Sequence, residues 1–182
     1  LVGDSANSEI SNSYATGAVT GDWAVGGLGG ASTTVSGSHA TGVVTGNSRA
    51  GGLVGDASGG VIDDSYATGD VSGGDESGGL LGRLYGGTTD NSYATGDISG
   101  GDNTGGLLGY AKYTSPLDNN YARGTITCDG CTEYLGGLVG YLAMGSIGSG
   151  NTWTNHSSDD ATACVGTSGG TGGSNPAGCS VS

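Results

Sequence analysis

The side chains of this chain that could do chemistry are mostly carboxylates at a regular spacing. Asp70 and Asp97 are 27 residues apart, and the same distance separates Asp75 from Asp102. If repeats stack, these like charges lie one strand spacing apart, and a cation such as Ca²⁺ between them would relieve the repulsion. The four aspartates are therefore calcium candidates, and no other cofactor is expected. The alternative is that they are solvated turn and surface residues, since no segment has the Gly-Gly-x-Gly-x-Asp nonapeptide of calcium-binding β-rolls.

Residues that could support catalysis are few. The two histidines are His39, which takes the place of a repeated tyrosine, and His156 near the C-terminal end. A polysaccharide lyase or hydrolase on a β-helix needs carboxylates clustered with Lys or Arg, and Lys112 is the single lysine. The sequence contains no His-Glu-x-x-His zinc motif. We therefore expect no catalytic residues and no enzymatic activity here.

The four cysteines predict an oxidising compartment. Cys128 and Cys131 lie in "CDGC", and Cys164 and Cys179 bracket a Gly/Ser/Thr-rich stretch that burial alone could not order. Of the three pairings that four cysteines allow, we favour the local pairs Cys128–Cys131 and Cys164–Cys179. A four-cysteine zinc site and a thioredoxin-like redox site are the alternatives. The sequence offers them one CxxC and no helix to lower a thiol pKa.

Two motifs recur along the chain with one shared period. This period indicates the fold that positions the side chains described above. The aromatic of "SYATG" and its near copies falls at Tyr14, His39, Tyr66, Tyr93 and Tyr121. The leucine of Gly-Gly-Leu-x-Gly falls at Leu28, Leu53, Leu80, Leu107 and Leu138. A shared period of about 27 residues indicates a solenoid, propeller or array. The composition agrees, because 43 glycines and the absence of Phe exclude an ordinary core.

The hydrophobic pattern within each repeat predicts short strands. In "SYATGDVSG", residues 65–73, small apolar residues alternate with polar ones, so Ala, Gly and Val face inward and Tyr and Thr face outward. A third apolar position recurs four residues before the aromatic, at Ile10, Val35, Ile62 and Leu117, with Thr89 as the exception. Each repeat therefore offers three strands, separated by Gly-rich corners that supply positive φ. We predict an all-β, three-sided parallel β-solenoid (β-helix) of about six coils of ~27 residues.

The outward side chains form the candidate binding surface. One row contains the aromatic of each repeat, and the next contains the threonine two residues later. The candidates are Tyr14, His39, Tyr66, Tyr93, Tyr121, Thr16, Thr41, Thr68 and Thr95. These rows could simply support the parallel sheet, or they could dock another subunit, a host protein or a glycan. An ice-binding surface is a third interpretation, which the bulky tyrosines and the intervening Asp70 and Asp97 oppose.

The order of the motifs resembles a known repeat. "GGLVG" followed about a dozen residues later by "SYATG" is similar to the GLUG repeat, found in tandem in large secreted bacterial and archaeal proteins. Those include filamentous-haemagglutinin-like adhesins and the non-catalytic parts of IgA-specific metallopeptidases. The resemblance covers roughly residues 1–155 and implies an extracellular, β-rich stalk without implying one activity. Residues 156–182 would then form a Gly/Ser-rich, disulfide-fastened C-terminal segment. Because the chain opens inside a motif, at Leu1, we expect further sequence upstream.

Charge limits the possible partners. Seventeen acidic residues and four basic ones give a net charge of −13, so nucleic acid and anionic membranes would gain few cation contacts. No stretch is apolar for long enough to insert into a bilayer. The remaining partners are neighbouring repeats, identical subunits, a surface glycan or a host protein. We expect a non-catalytic extracellular structural or adhesive segment of a cell-surface stalk, adhesin or self-assembling filament. The alternative is a spacer of a larger secreted enzyme whose catalytic domain lies outside this chain.

Overall fold

The protein is a parallel β-solenoid. A computed structural model describes residues 2–128, 134–154, 163–166, 177 and 179–181. Every strand pair in these ranges is parallel, and equivalent residues such as Tyr66 and Tyr93 pair across about six successive coils. The described residues form no helix, and so none that is long and apolar enough to cross a membrane. The predicted all-β solenoid with its period of about 27 residues is confirmed.

The widest surface of the solenoid is a sheet that we call the long sheet. Its strands are Val2–Ser11, Gly29–Ser36, Val54–Ser58, Val61–Asp63, Leu81–Asp90, Leu108–Thr114 and Val139–Ala143. The predicted strand over "GGLVG" begins later than expected, just after the motif leucine. It continues towards the apolar position before the aromatic, so two predicted strands belong to one sheet. In Leu81–Asp90 they are a single strand.

The other strands are short and form three further stacks. The tyrosine sheet contains Tyr14–Ala15, His39–Ala40, Tyr66–Ala67, Tyr93–Ala94, Tyr121–Ala122, Asn151–Trp153 and Cys179–Val181. The hydroxyl sheet contains Val19–Thr20, Val44–Thr45, Val71–Ser72, Ile98–Gly100 and Ile126–Cys128. The glycine edge pairs Trp23–Gly26 with Ser48–Gly51 and Thr104–Gly105 with Leu135–Gly136, and single bridges through Gly78 join the two pairs. A complete coil passes through the long sheet, the tyrosine sheet, the hydroxyl sheet and the glycine edge in that order.

The segment "SYATGDVSG" is two strands with a corner between them, where the alternation predicted one extended chain. Tyr66–Ala67 belongs to the tyrosine sheet and Val71–Ser72 to the hydroxyl sheet, with the corner at residues 68–70. The corner is tight because Gly69 lies against the carbonyl of Gly42 in the preceding coil, where a Cβ would overlap the backbone. The predicted faces are nevertheless correct, since burial alternates throughout the segment.

The Gly-Gly-Leu-x-Gly motif forms the crossing between the glycine edge and the long sheet. In the copy at Leu53, a Cβ on Gly52 would overlap the carbonyl of Gly79, and a Cβ on Gly55 would overlap the backbone of Ala24. Neither glycine has a positive φ. The prediction that glycines supply positive φ at these corners is therefore wrong for this motif. Close approach of one backbone to another is what requires them.

Positive φ occurs instead at three stacked positions. The first lies six residues after the motif leucine, where Gly59 and Gly86 supply it as predicted and Tyr113 and Met144 share it. The other two are occupied mostly by residues other than glycine. One position lies two residues before the aromatic: Asn12, Gly37, Asp64, Asn91, Asn119 and Gly150. The other lies four residues before the motif leucine: Ala24, Arg49, Glu76, Asn103 and Tyr134. Asn, Asp and Gly tolerate this conformation best, which explains the position before the aromatic. At the position before the motif leucine, backbone hydrogen bonds between coils stabilise the positive φ. One example is the bond that the Arg49 N–H donates to the Asp75 carbonyl, at 3.0 Å.

The interior consists of two columns of stacked residues. The larger column contains the motif leucines, the alanines of "SYATG" and the apolar position before the aromatic, as predicted. The smaller column contains Val25, Val44, Ala50, Val71, Ile98 and Ile126. Thr89, the exception in the apolar row, is also fully buried. Its hydroxyl finds no hydrogen-bond partner among the described residues.

The C-terminal part of the chain joins the same stack. Cys179–Val181 adds a strand to the tyrosine sheet beside Asn151–Trp153, and the predicted disulfide between Cys164 and Cys179 is present. Cys128 is disulfide-bonded as well, whereas Cys131, its predicted partner, lies outside the described residues. These bonds leave the described cysteines without a thiolate for the alternative zinc site.

Candidate functional site

The predicted aromatic row is a stack of parallel rings on the tyrosine sheet, which we call the tyrosine ladder. Ring centroids are 5.5 Å apart between Tyr14 and His39, 4.6 Å between His39 and Tyr66, and 4.8 Å between Tyr66 and Tyr93. The planes of each pair lie within 11° of each other. Tyr121 continues the register beside Tyr93. These contacts join coil to coil, which supports a structural role for the ladder.

The predicted threonine row lies beside the tyrosine ladder, at a corner of the coil. Thr16, Thr41, Thr68 and Thr95 each follow directly on a two-residue strand of the tyrosine sheet, and Arg123 takes the next position. The first three threonines are exposed and Thr95 is half-buried. The two rows therefore form a bent ridge, whereas the ice-binding interpretation needs a flat array.

The paired aspartates cap backbone groups of the following coil. Asp70 Oδ1 accepts a hydrogen bond from the Asp97 N–H at 2.9 Å, and Asp97 Oδ1 accepts one from the Thr125 N–H at 2.7 Å. Asp75 Oδ1 likewise accepts from the Asp102 N–H at 3.0 Å. This role explains the carboxylates of Asp70, Asp75 and Asp97 without a metal. Calcium binding stays a prediction, and the described residues contain no group of three His, Cys, Asp or Glu placed to hold a metal ion.

The serine of "SYATG" forms a buried polar ladder, a role that the sequence analysis did not assign. The Ser65 hydroxyl accepts a hydrogen bond from the Ser38 N–H at 3.1 Å and donates one at 2.8 Å to the carbonyl two residues before it. Ser38 and Ser92 repeat both bonds, and the Asn120 and Asn151 side chains extend the ladder. The signal was present in the sequence, because Ser or Asn precedes the aromatic in every clear copy.

A second surface, which the sequence analysis missed, lies where the long sheet meets the glycine edge. We call it the cation–aromatic patch. Its residues are Arg49, Asp56, Glu76, Arg83, Tyr85, Tyr110, Lys112, Tyr113, Tyr134 and Tyr141. The patch contains three of the four basic residues of the chain and five of its nine tyrosines. It therefore concentrates cations and aromatic rings on one side of an acidic molecule.

Ion pairs order the N-terminal half of the patch. The Asp56 carboxylate, which is 6% exposed, lies 2.9 Å from Arg49 Nη1 and 2.8 Å from Arg83 Nη2. Arg49 Nε lies 2.7 Å from Glu76 Oε2, and the Arg49 guanidinium is 4.6 Å from the centroid of the Trp23 ring. The two arginines remain 19% and 23% exposed. Both guanidinium groups are thus fixed in place while part of each arginine side chain stays open to solvent.

Two exposed tyrosines and one lysine form the next part of the patch. Tyr85 and Tyr113 meet edge to face with ring centroids 5.3 Å apart, and they are 42% and 47% exposed. Lys112 Nζ lies 4.9 Å from the centroid of the Tyr113 ring. No described carboxylate lies within ion-pair distance of Lys112. Tyr113 and then Tyr110 raise the pKa of Lys112, since a neighbouring phenolate favours the ammonium.

The C-terminal end of the patch is a group of three half-buried tyrosines. Ring centroids are 5.3 Å apart between Tyr110 and Tyr141 and 4.5 Å apart between Tyr134 and Tyr141. Burial raises the pKa of Tyr110, and the positive charge of Lys112 acts in the opposite direction. Lys112 and Tyr110 therefore interact electrostatically, which joins this group to the exposed lysine.

The sequence signal for the patch is a variable position at the repeat spacing. The residue three positions after the motif leucine is Asp56, Arg83, Tyr110 or Tyr141 in successive coils. These residues are paired in register on the long sheet. A search for identical residues overlooks such a row, because each coil places a different side chain there.

Two shallow cavities in the described residues lie outside the patch. One of about 250 Å³ opens beside Val2, Val19, Trp23 and Val25 at the N-terminal coil. The other, of about 330 Å³, lies on the hydroxyl sheet beside Asp70, Asp97, Ser72 and Ser99. Neither is lined by a residue of the patch.

Comparison with known proteins identifies one repeat family. The family model described as the GLUG motif matches residues 46–72 and 73–99. The matched segments are two consecutive turns of the solenoid, and the coils on either side continue their register on the tyrosine sheet. No curated protein and no solved structure is significantly similar to this chain.

Proposed function

Since two consecutive coils of this chain, residues 46–72 and 73–99, are GLUG repeats, we propose that it is a non-catalytic structural segment of an extracellular stalk, adhesin or filament. One observation supports this most directly: each coil presents the same contacts to the next. The serine ladder, the tyrosine ladder and the aspartate caps all continue across coils in register. A stack of this kind can be lengthened by adding coils without designing a new interface.

The disulfide and the charge support an extracellular setting. The bond between Cys164 and Cys179 would persist in an oxidising compartment and not in a reducing cytosol. The net charge of −13 keeps a repetitive β-rich surface hydrated and discourages lateral association. Both features suit a segment that extends from a cell into the surrounding medium.

The experiment that tests the setting is antibody labelling of intact cells of the source organism. An antibody raised against residues 46–99 should label intact cells as strongly as permeabilised cells. An antibody against a cytosolic enzyme, as the control, should label only permeabilised cells. Labelling of the segment only after permeabilisation would contradict the proposal.

The filament form of the proposal has its own test. Open strand edges at the end of a solenoid pair readily with another coil, so identical subunits could add end to end. Sedimentation velocity and negative-stain microscopy of the purified segment should then show rods that lengthen with concentration. Monodisperse monomers at all concentrations would contradict the filament proposal. The segment would then be a stalk or a spacer of a larger enzyme.

A further inference from the structure

We propose that the cation–aromatic patch binds an acidic polysaccharide whose sugar units bear carboxylate groups. Among the residues of the patch, Arg49, Arg83 and Lys112 are positive and Asp56 and Glu76 are negative, which leaves the patch at +1. The chain as a whole has a net charge of −13. An anionic ligand is therefore repelled by most of the molecule and accepted here, which confines binding to this side.

Lys112 supplies the contact for a ligand carboxylate. Its ammonium has no described carboxylate within ion-pair distance, in contrast to Arg49 and Arg83. It projects from the middle of the patch, paired in register with Tyr85 and next in sequence to Tyr113. Lys112 contacts Tyr113, but its ammonium has three donors, so a ligand carboxylate could accept a charge-assisted hydrogen bond from it without first displacing a carboxylate of the protein.

The two arginines supply further contacts that are already ordered. Asp56 and Glu76 fix the guanidinium groups, and about one fifth of each arginine side chain remains exposed. A group held in its bound orientation loses less conformational freedom when a ligand arrives. The Arg83 guanidinium also lies over the Tyr85 ring, 5.6 Å from its centroid, so a cation and an exposed ring are held in contact.

The shape of the patch favours a polysaccharide over a protein partner. Tightly bound proteins usually insert aromatic or arginine anchors into pockets, and neither cavity of the described residues is lined by the patch. Tyr85 and Tyr113 instead present exposed tyrosine surface on the long sheet. A sugar ring has an apolar face and hydroxyl edges, which match a tyrosine in the same way that wet, polar interfaces do.

The patch is also long enough for a chain ligand. Asp56, Arg83, Tyr110 and Tyr141 lie on four adjacent strands, and three strand spacings extend roughly 14 Å. A second copy of this protein is a poorer occupant, because seventeen acidic residues on each copy repel one another. An acidic peptide has the negative charge of an acidic polysaccharide but lacks its sugar rings. A comparison of the two kinds of polymer therefore distinguishes these ligands.

The test is affinity gel electrophoresis of the purified chain with polygalacturonate in the gel. Polyglutamate provides the same charge without sugar rings, and dextran provides sugar rings without charge. We expect retardation by polygalacturonate, weakened by added salt, and little or none by the other two polymers. Equal retardation by polyglutamate would overturn the polysaccharide proposal in favour of simple charge attraction, and no retardation by polygalacturonate would overturn it outright.

Matched variants locate the site. Lys112→Gln should weaken the apparent affinity about tenfold, the loss expected for one charge-assisted hydrogen bond, and Tyr85→Ala should also weaken it. The controls are Arg123→Gln, which removes the basic residue outside the patch, and Tyr14→Ala on the tyrosine ladder. Circular dichroism should show that all four variants are folded. If Arg123→Gln weakened binding as much as Lys112→Gln, the patch would not be the site.

This inference does not depend on the proposed cellular setting. Antibody labelling of cells tests where the protein is, whereas electrophoresis tests what the purified chain binds. A cytosolic location with intact polygalacturonate binding would contradict the proposed extracellular setting and leave the proposed binding site intact. Surface labelling without such binding would contradict the proposed binding site only.

Discussion

The tyrosine ladder and the cation–aromatic patch use the same residue type in opposite ways. On the ladder, the rings from Tyr14 to Tyr93 stack within 11° of parallel, each on its equivalent in the next coil. In the patch, the tyrosine pairs meet at 33°, 63° and 81°, and the rings contact cations as well as one another. The ladder repeats because coil stacking requires it. The patch departs from the repeat, and a departure that stacking does not explain is where a specific function is best sought.

The difference has a physical basis in the parallel register. In-register pairing places identical positions one strand spacing apart, so any side chain that stabilises its own copy is favoured in every coil. Outward positions of the long sheet are free of that requirement, and there Asp56, Arg83 and Tyr110 follow one another.

The largest loss of stability is expected for substitutions at positions where the backbones of two coils are in contact. Gly69→Ala would place a Cβ against the carbonyl of Gly42, so we expect a loss of about 3 kcal/mol in the free energy of unfolding. Gly17→Ala is the matched control, since it holds the same motif position and a Cβ there meets nothing within 4 Å. It should change stability by less than about 0.5 kcal/mol. Urea unfolding followed by circular dichroism measures both, and equal losses would contradict backbone contact as the reason for this glycine.

The serine ladder should give the next largest effect. Ser65→Ala removes the acceptor of the buried Ser38 N–H, and we expect a loss of about 2 kcal/mol in stability. Ser13→Ala is the control at the same motif position. The Ser13 hydroxyl donates to the Ser11 carbonyl in a solvent-exposed bond, and no described backbone N–H donates to it. If both variants unfolded at the same urea concentration, the ladder would have no role in stability.

Variants of the tyrosine ladder and of the cation–aromatic patch should differ in whether they change stability or ligand binding. Tyr66→Ala removes a ring stacked on both sides and should lower the free energy of unfolding by about 1.5 kcal/mol without affecting polygalacturonate binding. Lys112→Gln should have the reverse result, with stability within about 0.5 kcal/mol of the wild type and weaker binding. Unfolding and gel retardation of both proteins provide the comparison. A Tyr66→Ala protein that is folded but no longer retarded would show that the ladder itself contacts the ligand.

The features of the structure that repeat in every coil could be predicted from the sequence. The inward alanines, the buried leucines and the solenoid itself follow from two motifs with one spacing, and the pair Cys164 and Cys179 follows from local separation. The strand boundaries did not follow, because burial alternates in the same way through a corner as along a strand. The motif glycines were misinterpreted as turn residues, since close approach between coils is visible only in three dimensions.

The patch could not be predicted from residue identity. Arg83 is 27 residues after Asp56 and 27 before Tyr110, which is the period of the chain. Their relation becomes apparent only when the register of the long sheet makes them neighbours. Arg49 and Glu76 join them from the glycine edge, at a positive-φ position that propensity alone would assign to Asn or Gly. A row of different residues at a constant spacing is thus a signal worth reading in repeat proteins.

Titration of one tyrosine from each surface gives the smallest and most local comparison. Burial raises the pKa of Tyr93 on the ladder and of Tyr110 in the patch above the ordinary value of about 10, and Tyr66 raises that of Tyr93 further. A raised folded-state pKa means that the folded protein holds the proton more tightly. The resulting stability is present below the unfolded-state pKa and is lost as the pH rises through the folded-state pKa.

Lys112 should distinguish the two tyrosines. Its positive charge lowers the pKa of Tyr110 against the effect of burial, whereas the pKa of Tyr93 is set by burial and by Tyr66 alone among the causes resolved. Lys112→Gln should therefore move the ionisation of Tyr110 to higher pH and leave that of Tyr93 unchanged. Phenolate absorbance of the variant, with Tyr110→Phe and Tyr93→Phe backgrounds to assign each tyrosine, measures the shift. An equal shift at both residues would mean that Lys112 acts on the whole molecule, and the patch would lose its claim to be a separate electrostatic site.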